Sequence, residues 1–440
     1  MWDKLIKRYV CIASYEAAIQ ALHGLQSNST YLKLVTKDNS HASAVRKLRD
    51  TKKYLIRSGI TLQKLDTLSV IHIAGTKGKG STCAYTEAIL REHGFKTGFF
   101  SSPHLVNARE RIRISGQPIS KIQFTQNFWK IYKKLEDTKE HESDMPTYFK
   151  FLTILMFNIF LDEHVDVAII EVGIGGLYDC TNIVRNPVCV GITSLGLDHT
   201  SLLGNTVEDI AYQKSGIFKS GTVAFSVPQL PQAMRILEER AIERNSIQMA
   251  TEWLLTRDKV TSVSMDKIAI ALTSCKWPGR MQILRSSIGD FFLDGAHTIE
   301  SIECCISWFN DISSGSKGKK VLIFNTSGTR DPIQLLIPLR SLHFYKAYFV
   351  PNLVGIKSLD NEMNSSSIDE QKIKCEINSK IWGMNSVVAN NVLEVLEDIK
   401  KNLEQKDNCE RYQILVTGSL HLIGAVLAIL DPNLTMNTEF

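Results

Sequence analysis

No block of lysine and arginine occurs anywhere in the 440 residues, and 51 basic against 46 acidic side chains leave a net charge of only +5. A nucleic-acid footprint and a basic membrane-surface patch are both excluded, and small anionic ligands suit the chain better. The nine cysteines are scattered: there is no CxxC, no Cys/His zinc spacing, and only Cys304 and Cys305 are adjacent. That usage points to a reducing compartment without disulfides. Long hydrophobic runs are also missing. The most apolar stretch, "FKFLTILMFNIFL" at Phe149 to Leu161, carries Lys150 and Asn158 and falls short of the roughly 20 residues that span a bilayer, so it predicts a core helix and no membrane span. The first residues, "MWDKLIKRYV", contain Asp3 and lack the Ser and Arg enrichment of a mitochondrial presequence. The expectation is a cytoplasmic protein, with a mitochondrial form as the alternative. No fixed-period repeat and no low-complexity tract occurs.

What is present is alternation. After a helical opening, "SYEAAIQAL", the segments "VIHIAG", "STCAYTEAILREHG", "KTGFFSS", "FLTILMFNIFL", "DVAIIEVG" and "VCVGITSLG" read as strands and helices in turn, the rhythm of a parallel sheet flanked by helices. A second series, "FFLDGAH", "VLIFNTSG", "KAYFVPN" and "ILVTGSLHLIGAVLAIL", predicts a second α/β unit. The stretch from Ser246 to Lys276 is mixed in composition and ends in "WPGR", where Pro278 and Gly279 break regular structure. The predicted domains are therefore 1–275 and 276–440.

The chemistry gathers at predicted strand ends. In "AGTKGKGST" a strand breaks into glycines that free backbone N–H groups to turn toward an anion, with Lys79 between Gly78 and Gly80 and Ser81 opening a helix. The spacing is not that of the usual phosphate loop, because six residues before Lys79 stands Ile73. A ligand-free glycine turn and a switch-type P-loop protein are the competing readings. Glu171 closes the strand of "EVGIGG", where a carboxylate can ligate Mg²⁺ or orient water. Asp198 and His199 stand at the end of another predicted strand. In the second unit "WPGR" offers Arg280, able to reach a phosphate, and "FLDGAH" offers Asp294 and His297, the aspartate able to accept from a ribose hydroxyl.

Together "GTKGKGST", "GFFSSPHLVNARERIRISGQPIS", "EVGIGGLYDCTNIV", "SLGLDHTSLLG", "AYQKSGIFK", "WPGR", "LDGAH" and "LVTGSLHLIGAVL" make the chain resemble the folylpolyglutamate synthases of the Mur ligase superfamily, eukaryotic members above all. The resemblance implies an α/β fold of two domains: an N-terminal P-loop ATPase domain with a parallel-sheet core that binds ATP, Mg²⁺ and folate, and a smaller Rossmann-like C-terminal glutamate ligase domain. It implies ATP-dependent addition of L-glutamate to the γ-carboxylate of a reduced folate, through an acyl phosphate, by a monomer that needs Mg²⁺, with a monovalent cation such as K⁺ as a further cofactor. Gly78, Lys79, Gly80 and Ser81 match the family's phosphate loop; Ser102, Glu171 and His199 match its magnesium ligands. Lys79, His199 and Lys214 are the catalytic candidates, Lys214 matching a lysine carbamylated in the superfamily. Arg280, Asp294 and His297 match nucleotide contacts.

One family element has no counterpart. A His-Gln-x-x-Asn segment, whose Asn meets the adenine, should precede the second domain, yet no His occurs between His199 and His297, and the Asn residues between them are Asn205 and Asn245. The readings left beside polyglutamylation are dihydrofolate synthase, a shortened isoform, and a catalytically impaired nucleotide- or folate-binding homologue.

Overall fold

The structure is a computed structural model, and it describes residues 14–25, 41–244, 263–315, 318–326, 330–355, 367–404 and 411–436. Asn245 and most of the stretch after Ser246 lie outside these residues. The chain divides into two compact units, 1–103 with 109–275, and 104–108 with 276–440.

The first unit is built on a seven-stranded sheet. Its strands are β1 (Val70–Ala74), β2 (Thr97–Phe100), β3 (Ile112–Ile114), β4 (Gln117–Pro118), β5 (Val167–Glu171), β6 (Cys189–Ile192) and β7 (Val223–Ser226), in the order β4-β3-β2-β5-β1-β6-β7. The run from β2 to β7 is parallel, with Ile73 beside Glu171 and Ala74 beside Ile192. Strands β1 and β5 are buried at every position, as the continuous apolar runs of a sheet covered on both faces require. The sheet is not wholly parallel as the alternation predicts: β3 and β4 add on antiparallel beyond β2. Tight reversals such as Ser115–Gly116, both with positive φ, permit this without a crossover helix.

Helix α1 (Lys79–Glu92) follows β1 directly. Helix α2 (Lys121–Asp137) opens with a reciprocal cap between Ser120 and Gln123, which satisfies two of the N–H groups that a helix start leaves open. Helix α3 (Tyr148–Asp162) is the apolar run noted above, and twelve of its fifteen residues are buried. It is a core helix, its Lys150 placed 3.7 Å from Asp50. Helix α4 (Val207–Lys214) buries Ile210 and Ala211, with Ala211 in the core on one side of the sheet beside Val190, Ile192 and Phe218.

The second unit has a six-stranded sheet of β8 (Gln282–Ser286), β9 (Gly289–Leu293), β10 (Lys320–Phe324), β11 (Lys346–Phe349), β12 (Ser386–Val388) and β13 (Tyr412–Thr417), in the order β12-β11-β10-β13-β9-β8. All neighbours are parallel except the hairpin β8–β9. One face is covered by helix α5 (Leu420–Leu430), whose Leu422, Ile423, Val426 and Leu427 pack with Phe291 and Ile414. The other face holds Phe292, Phe309, Phe324 and Phe349. The segment 104–108 joins this unit, and a side chain at Gly424 would meet the Leu105 carbonyl at 2.1 Å.

Candidate active site

Parallel strands end on the same edge of their sheet, so β2, β5, β1 and β6 bring four loops of the first unit together. The loop after β1 is fastened to the segment after β6. The N–H groups of Thr76 and Lys77 both donate to the Ser194 carbonyl, at 2.9 and 3.1 Å. The Thr76 hydroxyl donates to the Gly196 carbonyl at 3.0 Å and accepts from the Gly196 N–H at 3.1 Å. Gly75 has φ +153°, and a Cβ there would lie 1.8 Å from Thr193 Oγ1; only glycine allows the two strands to approach so closely.

Gly78, in the left-handed region at φ 81°, is the N-cap of α1 and offers no side-chain cap. The first N–H groups of α1 thus lack the N-cap side-chain acceptor that usually meets a helix start, and together with the helix dipole they are able to take an anion. Lys79, Gly80 and Ser81 sit half-buried at that start. Lys79 Nζ reaches back to the Thr76 carbonyl at 3.3 Å.

Lys214, at the end of α4, is 4% exposed and donates to the Gly75 carbonyl at 2.7 Å, beneath the same loop. Burial, and after it the charge of Lys79, push its pKa down to about 7 against the pull of Asp198 and Asp179. The segments "EVGIGGLYDCTN" and "AYQKSGIFK" pack on one another here. Leu177 N–H donates to the Gln213 carbonyl at 2.7 Å, Asn182 donates to the Gly216 carbonyl at 3.1 Å, and a Cβ on Gly176 would meet the Lys214 carbonyl at 2.8 Å.

Glu171 ends β5 and is 5% exposed. It accepts from the Ser102 N–H at 3.0 Å, so two of the three residues matched to metal ligands are joined directly. His199 is placed differently from the sequence expectation. It lies seven residues beyond β6 rather than at a strand end, exposed, with φ 52°, as the N-cap of the short helix Thr200–Leu203. Its N–H donates to Asp198 Oδ1 at 2.9 Å. No group of three or more His, Cys, Asp or Glu side chains suited to a metal occurs among the described residues; the set Ser102, Glu171 and His199 contains only two such residues.

In the second unit Asp294 follows β9 and organises the "WPGR" turn. Its Oδ2 accepts from the Met281 N–H and its Oδ1 from the Ala296 N–H, both at 2.9 Å, while Gly295 N–H donates to the Gly279 carbonyl at 3.0 Å. Burial pushes the Asp294 carboxyl up, opposed by the Met281 N–H and by the Arg280 charge. A Cβ on Gly295 would lie 3.1 Å from an Arg280 guanidinium nitrogen. Arg280 and Asp294 are therefore brought together, and His297 Nδ1 lies 2.7 Å from the Gly295 carbonyl. No disulfide links the cysteines among the described residues.

The residues that sequence reasoning passed over are Thr193, Asp179, Thr181 and His72. A signal existed for one of them, since a histidine inside "VIHIA" is the sole polar side chain of a fully buried strand.

No family model matches the chain. The folylpolyglutamate synthase, mitochondrial, of Bos taurus is 37% identical over 546 aligned positions, covering 96% of this chain and 93% of that protein. The protein of the same name from Homo sapiens is 40% identical, covering 84% and 73%. Among solved structures, Escherichia coli FolC in complex with DHPP and ADP is 25% identical with a TM-score of 0.69, covering 88% of this chain and 93% of that one. The bifunctional folylpolyglutamate synthase/dihydrofolate synthase of Yersinia pestis, complexed with AMPPNP and Mn ion, is 26% identical with a TM-score of 0.67, covering 87% and 93%.

Proposed function

The chain belongs to the folylpolyglutamate synthase family, and on that premise we propose how its residues divide the work. It is an ATP-dependent ligase that adds L-glutamate to the γ-carboxylate of a tetrahydrofolate. ATP phosphorylates the carboxylate, and the glutamate amine displaces phosphate from the acyl phosphate, so one amide bond forms for each ATP cleaved. The observation that carries the reading is the loop from Gly75 to Ser81, with an uncapped helix start, Lys79 beside it and Lys214 beneath it.

The N–H groups of Gly80 and Ser81 hold the phosphates, and Lys79 compensates charge on the transferring group. Ser102 and Glu171 supply the hydroxyl and carboxylate oxygens that a hard cation prefers, with His199 completing the set. Mg²⁺, when bound, neutralises phosphate charge as a Lewis acid. Lys214, its pKa about 7, keeps a substantial neutral fraction at physiological pH, the form that adds carbon dioxide to give a carbamate. Arg280, ordered by Asp294, with His297 alongside, contacts the nucleotide from the second unit, which binds glutamate. The first unit, residues 1–275 in the linear division, binds ATP and folate, and the protein works as a monomer, with a monovalent cation such as K⁺ as a further activator. The named mitochondrial relatives support a mitochondrial form beside a cytoplasmic one; no helix among the described residues is long and apolar enough to cross a membrane.

Incorporation of labelled glutamate with tetrahydrofolate, with dihydropteroate or with no pterin tests the reading. Turnover with tetrahydrofolate is expected, and turnover with dihydropteroate alone would make the chain a dihydrofolate synthase. The alignment to the bovine protein runs over 546 positions against a chain of 440 residues, so the relative carries segments that this chain does not. With no His-Gln-x-x-Asn segment the adenine lacks its amide partner, a hydrogen bond worth about 0.5–1.5 kcal/mol. ATP binding several-fold weaker than in relatives, with poor rejection of GTP, is expected in calorimetry. Strong discrimination against GTP would show that another residue reads the base.

A further inference from the structure

His72 stands at the centre of β1, fully buried, two residues before the strand gives way to the phosphate loop. Its Nε2 lies 2.8 Å from Thr181 Oγ1, and Thr181 Oγ1 in turn lies 2.6 Å from Asp179 Oδ1. The direction of this chain follows from proton count. The threonine hydroxyl has one proton, and the carboxylate can only accept it, so toward His72 the hydroxyl accepts and Nε2 carries the N–H. Nδ1 is then a bare acceptor, and it is buried with no hydrogen-bond partner among the described residues. A buried polar atom left unpaired costs stability that an apolar side chain at the same place would not. Local rules broken in this way are expected where function requires it.

The far end of the chain supplies that function. Asp179 also accepts from the Thr181 N–H at 2.9 Å and from the Ile174 N–H at 3.1 Å, with the Gly173 N–H facing it as well. It therefore ties down the loop that leaves Glu171 at both of its ends. Asp179 is also one of the two negative charges that act on Lys214.

We propose that His72 is a positioning residue of the phosphoryl-transfer site: through Thr181 and Asp179 it holds the loop Gly173–Thr181, and with it the Glu171 carboxylate and the negative charge facing Lys214. The inference rests on the reading of Glu171 as a metal ligand given above, and its test separates the two.

Amide hydrogen exchange on the full chain, read on peptides covering Val172–Thr181 and on α3 as an internal standard, is measured for the parent, His72→Leu, His72→Gln and Thr181→Val, together with the magnesium dependence of glutamate ligation. His72→Leu and Thr181→Val are expected to speed exchange in the loop at least tenfold, to leave α3 unchanged, and to raise the magnesium needed for half-maximal rate about tenfold with the folate KM unaltered. The double variant is expected to be no worse than either single one, because both cut the same chain. His72→Gln carries an N–H donor at a similar reach and is expected to restore exchange and magnesium dependence to within about threefold of the parent. Unchanged loop exchange in His72→Leu, additive effects in the double variant, or failure of His72→Gln to restore what His72→Leu loses would each overturn the proposal. Glu171→Gln is measured beside them. A magnesium dependence identical to the parent's in that variant removes Glu171 from the metal site and leaves the exchange data to decide the role of His72.

Discussion

The carboxyl edges of the two sheets present opposite economies of charge. In the first unit Lys79 and Lys214 each reach a backbone carbonyl of one loop, Thr76 and Gly75, and the helix start between them has no side-chain cap. In the second unit Asp294 has each oxygen engaged by a backbone N–H, from Met281 and Ala296. At the first edge the two lysines meet only backbone carbonyls among the described residues and the helix start has no cap, an arrangement able to take an anion. The second is already neutralised by its own backbone and serves to hold Arg280 in place. Two α/β sheets with similar strand ends therefore differ in which partners their charged groups already have.

The sharpest test of that contrast compares Lys79→Ala with Arg280→Ala. Lys79 is half-buried and contributes little to the core, so its loss is expected to remove ligation by about a thousandfold or more, roughly 4 kcal/mol of barrier, with circular dichroism and melting unchanged. Arg280→Ala is expected to act mainly on the ATP KM, by about tenfold. Equal losses in kcat for the two variants would erase the distinction between the edges.

A second test uses pH. The folded pKa of Lys214, about 7, lies below the 10.5 of an unperturbed lysine, through burial first and the Lys79 charge second. Between these values the unfolded chain binds the extra proton, so the contribution of Lys214 to stability rises with pH, with a limiting slope of about 1.4 kcal/mol per pH unit, and is flat below about 7. In urea unfolding followed from pH 6 to 10, Lys214→Met is expected to lose that rise, its advantage over the parent being greatest at the acid end. A difference between variant and parent that does not vary with pH would mean that Lys214 keeps an ordinary pKa.

The smallest effect is expected at Asp294. Asp294→Asn keeps one acceptor oxygen but turns an NH₂ toward a backbone N–H, so one of its two bonds is lost, at about 1 kcal/mol. A fall of a few degrees in the melting of the second unit, with kcat little changed and the ATP KM raised, would sustain the view that Asp294 orders the Arg280 turn. A collapse of kcat with normal melting would instead place the carboxylate in the chemistry.

Much of this protein was legible in the sequence because its signals are local. Runs such as "VIHIA" and "VAIIE" are apolar throughout, which only a strand covered on both faces can use, and the glycines of "GTKGKGST" mark a loop at one strand end. The family motifs single out Lys79, Ser102, Glu171, Lys214 and Arg280 as candidates from the sequence alone. What the tertiary structure alone decided are the facts that depend on pairing across the sheet. Strand order β2-β5-β1-β6 put Glu171 beside Ser102 and Lys214 beneath Gly75. The same order set Thr181, 109 residues away in the chain, against His72. The sequence around His199 does not tell where β6 stops, and the residue stands seven positions beyond the strand rather than at its end. The physical reason is the same throughout: hydrophobic period and turn chemistry act over a few residues, whereas a hydrogen bond or a pKa depends on neighbours that the chain supplies from a distance.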